Sequence, residues 1–133
     1  MSVHYDQVVA SYHRCRESVG FFDTFYALLL GKSAEIEGMF VNTDFKRQKL
    51  MLRESLIEVL NLYCGVESVR EEILALGRRH VELKVRPEHF ELWLDALCEA
   101  VERHDPEYEP GLNPAWRAAL RPAIDLMLSV RTD

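Results

Sequence analysis

The chain has little of several things. Six glycines and five prolines in 133 residues exclude collagen-like and low-complexity classes. Three cysteines, Cys15, Cys64 and Cys98, are an odd number at wide spacings without a C-x-x-C pair. That pattern rules out a disulfide scaffold or a zinc ribbon and fits buried, reduced thiols in a cytoplasmic protein. Basic charge is scarce as well: 16 Lys and Arg stand against 22 Asp and Glu, a formal net charge of −6. Such a balance argues against a dedicated binder of nucleic acid or anionic membrane, which needs clustered cations. The apolar stretch Ala27 to Leu30 is far short of the roughly 18 residues that a membrane span requires. The opening Met1-Ser2-Val3-His4-Tyr5-Asp6 has no basic region followed by an apolar run, so no signal peptide is expected.

What is present is helix-forming. Leu, Glu, Arg and Ala account for 55 of the 133 residues, all with favourable helix propensity. At a prior of roughly 150 residues per domain, residues 1–133 are expected to form one domain, long enough to bury a core without staples. Val8, Val9, Tyr12, Cys15 and Val19 recur at three- and four-residue steps, an amphipathic first helix that Gly20 breaks. Phe21 to Leu30 reads as a second, strongly apolar helix ended by Gly31. Ser33 is the expected N-cap of a short helix with Ile36, Met39 and Phe40 on its apolar face. Asn42-Thr43-Asp44 then opens a long helix with Phe45, Leu52, Leu56, Val59, Leu60 and Tyr63 on one side and Gly65 at its end.

Ser68 is the expected cap of the following helix, which carries Glu71 and Glu72 early and Arg78, Arg79 and His80 late, the order that the helix dipole favours. Pro87 should start another helix running to His104. A polar loop from Asp105 to Gly111 follows, and Asn113-Pro114 reads as N-cap and first position of the last helix. Pro122 lies inside that helix, where it should kink the axis or loosen the ladder at a cost of about 3 kcal/mol. With no segment that reads as a strand, the whole predicts an all-α fold of six or seven helices.

Motifs that announce chemistry are missing: there is no H-E-x-x-H, no Gly-rich phosphate loop and no cluster of metal-ligating residues. Three residues nevertheless stand out. His80 falls late on a helix whose apolar residues Ile73, Leu76 and Leu83 share a similar face. It is either a core imidazole satisfied by a carbonyl or a neutral ligand of the kind a haem iron takes on its proximal side. Tyr26 lies in a very apolar helix and needs a partner for its hydroxyl if buried; an ordinary core tyrosine is the plain alternative. Gln48 shares a face with Phe45 and Leu52, where an amide costs free energy unless bonded, or else lies at the edge of the core. A Tyr and a Gln facing one cavity would suit a polar diatomic ligand.

Taken together, these residues resemble the bacterial single-domain haemoglobins and the haem domain of flavohaemoglobins, over nearly the whole chain. Ser33-Ala-Glu-Ile-Glu followed by Met39-Phe40 is similar to that family's segment ending in a haem-packing Phe, with Ala34 where Pro is usual. Tyr26 precedes Phe40 by 14 residues and Gln48 precedes His80 by 32, the spacings of the family's distal Tyr and Gln. His80-x4-Val85-x3-His89-Phe90 resembles its H-x4-V-x3-H-Y/F run, and Ala115-Trp116 its final-helix pair.

The resemblance implies a globin fold around a b-type haem. It makes His80 the proximal iron ligand, stacks Phe40 on the porphyrin, lines the distal side with Tyr26 and Gln48, and closes the pocket with Leu52 and Val85. A slip of one residue would put Arg47 and Met51 in place of Gln48 and Leu52. Lys49, Lys84 and Arg86 are either haem-propionate partners or solvated surface charges. Phe90 replaces the family's proximal tyrosine, and Arg131 stands where its glutamate partner is expected, so a strong proximal push towards O–O cleavage is not expected.

The function implied is reversible binding of O2, and of CO and NO, as in oxygen transport. Two alternatives accompany it: NO dioxygenation supported by a separate reductase, since no flavin domain follows, and a haem-based or haem-less sensory and interaction module. A monomer or a homodimer is expected.

Overall fold

The structure, a computed structural model, describes residues 3–130. Seven α-helices follow one another: α1 (Val3–Glu17), α2 (Phe21–Leu30), α3 (Ala34–Met39), α4 (Phe45–Tyr63), α5 (Arg70–Glu82), α6 (Pro87–His104) and α7 (Leu112–Leu128). A single 3-10 turn, Glu67–Val69, precedes α5. No strand occurs among the described residues, and no described helix is long and apolar enough to cross a membrane.

Most boundaries have a local cause. Gly20 adopts φ +85, a left-handed turn that a side chain would strain, and so breaks the chain between α1 and α2. The Ser33 hydroxyl accepts from the Glu35 and Ile36 amides, and the Asp44 carboxylate accepts from those of Lys46 and Arg47. Each cap satisfies first-turn donors that a helix cannot satisfy itself. At the start of α6, the His89 ring accepts from the Arg86 amide at 2.9 Å, with Pro87 in the first turn where its missing N–H costs nothing.

Two expectations need correction. Ser68 does not cap α5; it lies inside the 3-10 turn, and α5 begins at Arg70 without a side-chain cap. Asn113-Pro114 does not start α7, which begins at Leu112; the Asn113 side chain instead accepts from the Arg117 guanidinium at 2.7 Å, one turn on. Pro122 lies inside α7, as expected, and on its exposed face.

The core is built mainly from α1, α2, α6 and α7. α2 lies on α6, α1 on α7, and both α4 and α5 rest on α7. Trp116 is fully buried at the centre. Its indole N–H donates to Ser11 Oγ at 3.0 Å, and its ring meets Tyr12 edge-on at 6.1 Å. The Ser11 hydroxyl donates in turn to Asp105 at 2.6 Å, and Arg14 forks onto the same carboxylate at 2.6 and 2.9 Å. Burial alone would raise the Asp105 pKa, but these donors and the Glu107 amide outweigh it and hold the carboxyl below its ordinary value. Cys15 and Cys98 are buried thiols, pushed up by burial to about 12 and about 11. Cys64 is half-buried beside Tyr5.

Candidate functional site

His80 lies in the last turn of α5. Its Nδ1 is 2.6 Å from the carbonyl of Leu76, one turn earlier. A carbonyl can only accept, so the proton is on Nδ1 and the lone pair on Nε2. Among the described residues nothing hydrogen-bonds to Nε2. Burial lowers the His80 pKa, the Leu76 carbonyl opposes that, and the neighbouring Arg79 lowers it further. The imidazole is therefore neutral at pH 7, with one nitrogen uncommitted. Phe90, buried at the start of α6, lies 5.5 Å from the ring.

The chain turns sharply just after His80. The Val85 amide donates to the His80 carbonyl and the Lys84 amide to that of Val81, both at 3.0 Å, while Lys84 itself takes φ +65. This six-to-one and five-to-two pair is a Schellman closure. It explains the spacing H-x4-V in physical terms: the turn returns Val85, half-buried, to the end of the helix that carries the histidine. Gly77, one turn before His80, sets how closely that helix approaches α7. A Cβ there would lie 2.8 Å from both the α-carbon and the carbonyl oxygen of Met127. Gly77 was not singled out from sequence, and Lys84 was noted only for its charge, not for its left-handed backbone; a glycine inside an amphipathic helix three residues before a ligand candidate was the available signal.

A second group gathers where α2, α3 and α4 meet. Tyr26 is buried, with Phe40 and Phe45 edge-on to its ring at 5.8 and 5.5 Å, and these two stack on each other at 5.8 Å. The Tyr26 hydroxyl points at α4, 3.5 Å from the Gln48 backbone oxygen, at the outer limit of a hydrogen bond. Burial pushes this phenol up to about 12, and the Gln48 side chain beside it pulls the other way. Tyr26 is thus a protonated donor at neutral pH. Gln48 is half-buried and Leu52, one turn on, buried, whereas Arg47 and Met51 are exposed. Phe40, the C-cap of α3, is half-buried.

The cleft nearest the two groups lies between α3 and the end of α5, and none of His80, Val85, Tyr26, Phe40, Gln48 or Leu52 lines it. This cleft, of about 600 Å3, is lined by Glu35 and Met39 from α3, by Val81, Leu83 and Lys84 at the end of α5, and by Arg86 and His89 beyond it. Met39 adjoins Phe40 and Val81 adjoins His80. Glu35 ties one end shut: it pairs with Arg86, which also meets Glu88 at 2.9 Å, and it lies 3.3 Å from His89 Nε2. Lys49 does not reach this crevice; it pairs with Asp23 of α2. Arg131 lies outside the described residues. The donor set fits a haem: one neutral imidazole with an uncommitted Nε2, apolar walls, and cations at the mouth to match carboxylates.

The comparisons with known proteins bear on the family and the fold. The globin family model matches residues 24–127. A solved structure from Pseudomonas aeruginosa PAO1, described as structurally highly homologous to a human haemoglobin, is 37% identical to this chain. The match covers 95% of this chain and 96% of that one, with a TM-score of 0.89. No curated protein matches. Seven helices in this order, the imidazole on the fifth and the family match across most of the sequence lead to one conclusion: the chain belongs to the globin family.

Proposed function

We propose that residues 1–133 form one globin domain that holds a b-type haem through His80 and reversibly binds O2, CO and NO. The observation that carries this reading is the His80 imidazole, neutral, oriented by the Leu76 carbonyl and left with an uncommitted Nε2. The haem, when bound, supplies a redox-active iron with a coordination position for a small gas. The chain does the rest. Leu76 fixes the tautomer, Phe90 limits the tilt of the ring, and the turn through Lys84 holds Val85 beside it. Phe40, Leu52 and Val85 present apolar surface to the porphyrin and exclude water. Lys84 and Arg86 stand at the mouth for its propionates.

On the distal side Tyr26 offers a hydroxyl that stays protonated at neutral pH, and Gln48 offers an amide from α4. Two neutral donors favour a small polar ligand by hydrogen bonding, each contributing about 1 kcal/mol. On the proximal side the partner of Nδ1 is a neutral carbonyl rather than a carboxylate. That weak orientation supports reversible binding in preference to O–O cleavage.

Absorption spectra of the haem-loaded protein in oxidised, reduced and CO-bound forms test the reading. A Soret band is expected that His80→Ala loses and added imidazole restores. A protein that takes up no haem, or a His80→Ala variant whose spectrum is unchanged without imidazole, would refute it.

A further inference from the structure

A second cleft, of about 470 Å3, lies on the other side of α4. Arg16 comes to it from the end of α1, Ser18 to Asp23 from the α1–α2 corner and the first turn of α2, and Lys46, Lys49, Leu50 and Arg53 from α4. The α4 residues recur at three- and four-residue steps, so they share one face of the helix. Gln48 and Leu52 lie on the opposite face. Four cations converge here with one carboxylate, Asp23, which pairs with Lys49.

Among the described residues, Arg16, Lys46 and Arg53 have no carboxylate partner. Arg16 is nevertheless held in place: its guanidinium meets His13 at 2.8 Å and lies over the Tyr12 ring at 5.1 Å. Like charges at helical spacing repel, and the chain carries 22 carboxylates against 16 cations. Elsewhere Arg14, Lys32, Arg86, Arg117 and Arg121 meet carboxylates, and the other cations without one, such as Arg47, Arg70 and Arg79, lie outside this cleft. The repulsion here is left without an internal counter-charge. Beside the cations the cleft is lined by apolar Val19, exposed at 97%, Leu50, exposed at 56%, and Phe22 from the first turn of α2.

We propose that this cleft is a binding site for a nucleotide-sized organic phosphate. Two guanidinium groups match phosphate oxygens in a planar, bidentate way, and the lysines add point charge. Three cations beyond the Lys49–Asp23 pair call for a ligand with two or more negative charges. Val19, Phe22 and Leu50 give its ring or chain an apolar wall. The volume falls within the roughly 300–1,000 Å3 typical of small-molecule sites. The site is independent of the crevice beside His80 and stands or falls without it.

Titration calorimetry on the full chain, with ATP and inorganic tripolyphosphate as probes at low and high salt, tests the assignment. The expected result is saturable one-to-one binding of ATP, weaker binding of tripolyphosphate, and loss of about tenfold or more in affinity in a Lys46→Gln/Arg53→Gln double variant. Both replaced side chains are exposed, so the fold should persist, as circular dichroism will report. Arg70→Gln, an exposed cation on α5, should bind as the unaltered chain does. Absence of saturable binding at millimolar ATP and low salt overturns the proposal. So does equal affinity in the double variant, and equal affinity for tripolyphosphate overturns the organic part of the ligand.

Discussion

The molecule has two unlike halves. Around Trp116, α1, α2, α6 and α7 bury their apolar faces in one another and satisfy the few polar atoms inside, down to the Asp105 carboxylate with its three side-chain contacts. Between residues 39 and 83 the pattern reverses. Met39, Val41, Leu50, Met51, Ile57, Val66, Val81 and Leu83 are exposed, eight of the nine large apolar residues so placed among the described residues. Both stretches have ordinary helix propensity, so the difference is one of packing partners. The first half completes its core from its own chain. The second leaves apolar side chains at the surface: Met39, Val81 and Leu83 line the crevice between α3 and the end of α5, and Leu50 the cleft beside α2.

The largest test of that contrast lies in the first half. Asp105→Asn removes a buried charge that Arg14 and Ser11 both serve, and loss of one partner from such a pair costs about 3–5 kcal/mol. The low end is expected, because Arg14 is partly exposed and Glu107 lies 3.8 Å from it. Urea denaturation should show this loss equally with and without haem, since no part of the network touches the crevice. The same carboxyl sets an acid limit. Its folded pKa is depressed, so its stabilisation is full above the unfolded value of about 3.9 and lost as pH falls through the lower folded one. The variant should therefore show a flatter acid limb. A loss of haem affinity with no loss of stability would break the contrast.

The two halves were not equally legible in the sequence. Helix order, the break at Gly20 and the caps at Ser33 and Asp44 follow from local chemistry that a few adjacent residues carry. The pairing of Tyr26 with Gln48, 22 residues apart, was not local in this way and came from the resemblance to the bacterial haemoglobins. The failures are where a tertiary contact outweighs a local signal. Asn113 and Ser68 have the right residue types for caps, yet the first bonds Arg117 and the second is absorbed by a 3-10 turn. Lys49 read as a haem-propionate partner or a solvated surface charge, and it is neither: it pairs with Asp23 on the facing helix. What Gly77 packs against was not legible, because its partner, the Met127 backbone, is 50 residues away.

That glycine is the seam between the halves, and it gives the second test. In Gly77→Ala the new methyl meets main-chain atoms at 2.8 Å, which cannot rotate aside as a side chain would. α5 must shift away from α7, at about 1–3 kcal/mol for overpacking, offset in part by up to about 1 kcal/mol of better helix propensity. A net loss of about 1–2 kcal/mol is expected in thermal or urea unfolding. The same shift moves His80, so the ferric and ferrous haem spectra should change as well. A stability loss with unaltered spectra would mean that α7 does not position the proximal side.

The smallest expected effect compares two helix ends within the second half. α4 and α5 close by the same pair of bonds: Val66 to Asn61 with Gly65 to Leu62, and Val85 to His80 with Lys84 to Val81, each 3.0 Å. The left-handed position is glycine in the first, at φ +98, and lysine in the second, at φ +65. A non-glycine residue there costs about 1–2 kcal/mol, and glycine returns part of that as added freedom in the unfolded chain, about 0.5–1 kcal/mol. Lys84→Gly should thus stabilise the protein by up to about 1 kcal/mol, with slower hydrogen exchange at the Val85 amide. Lys84→Ala keeps the strain and should gain nothing, which separates backbone relief from loss of the charge. If Lys84→Gly gains stability but haem dissociates faster, the lysine is retained at a strained position for its charge at the mouth of the crevice. If stability is unchanged and the haem is held as before, the strain at φ +65 is smaller than the left-handed penalty implies, and the two helix ends are energetically alike.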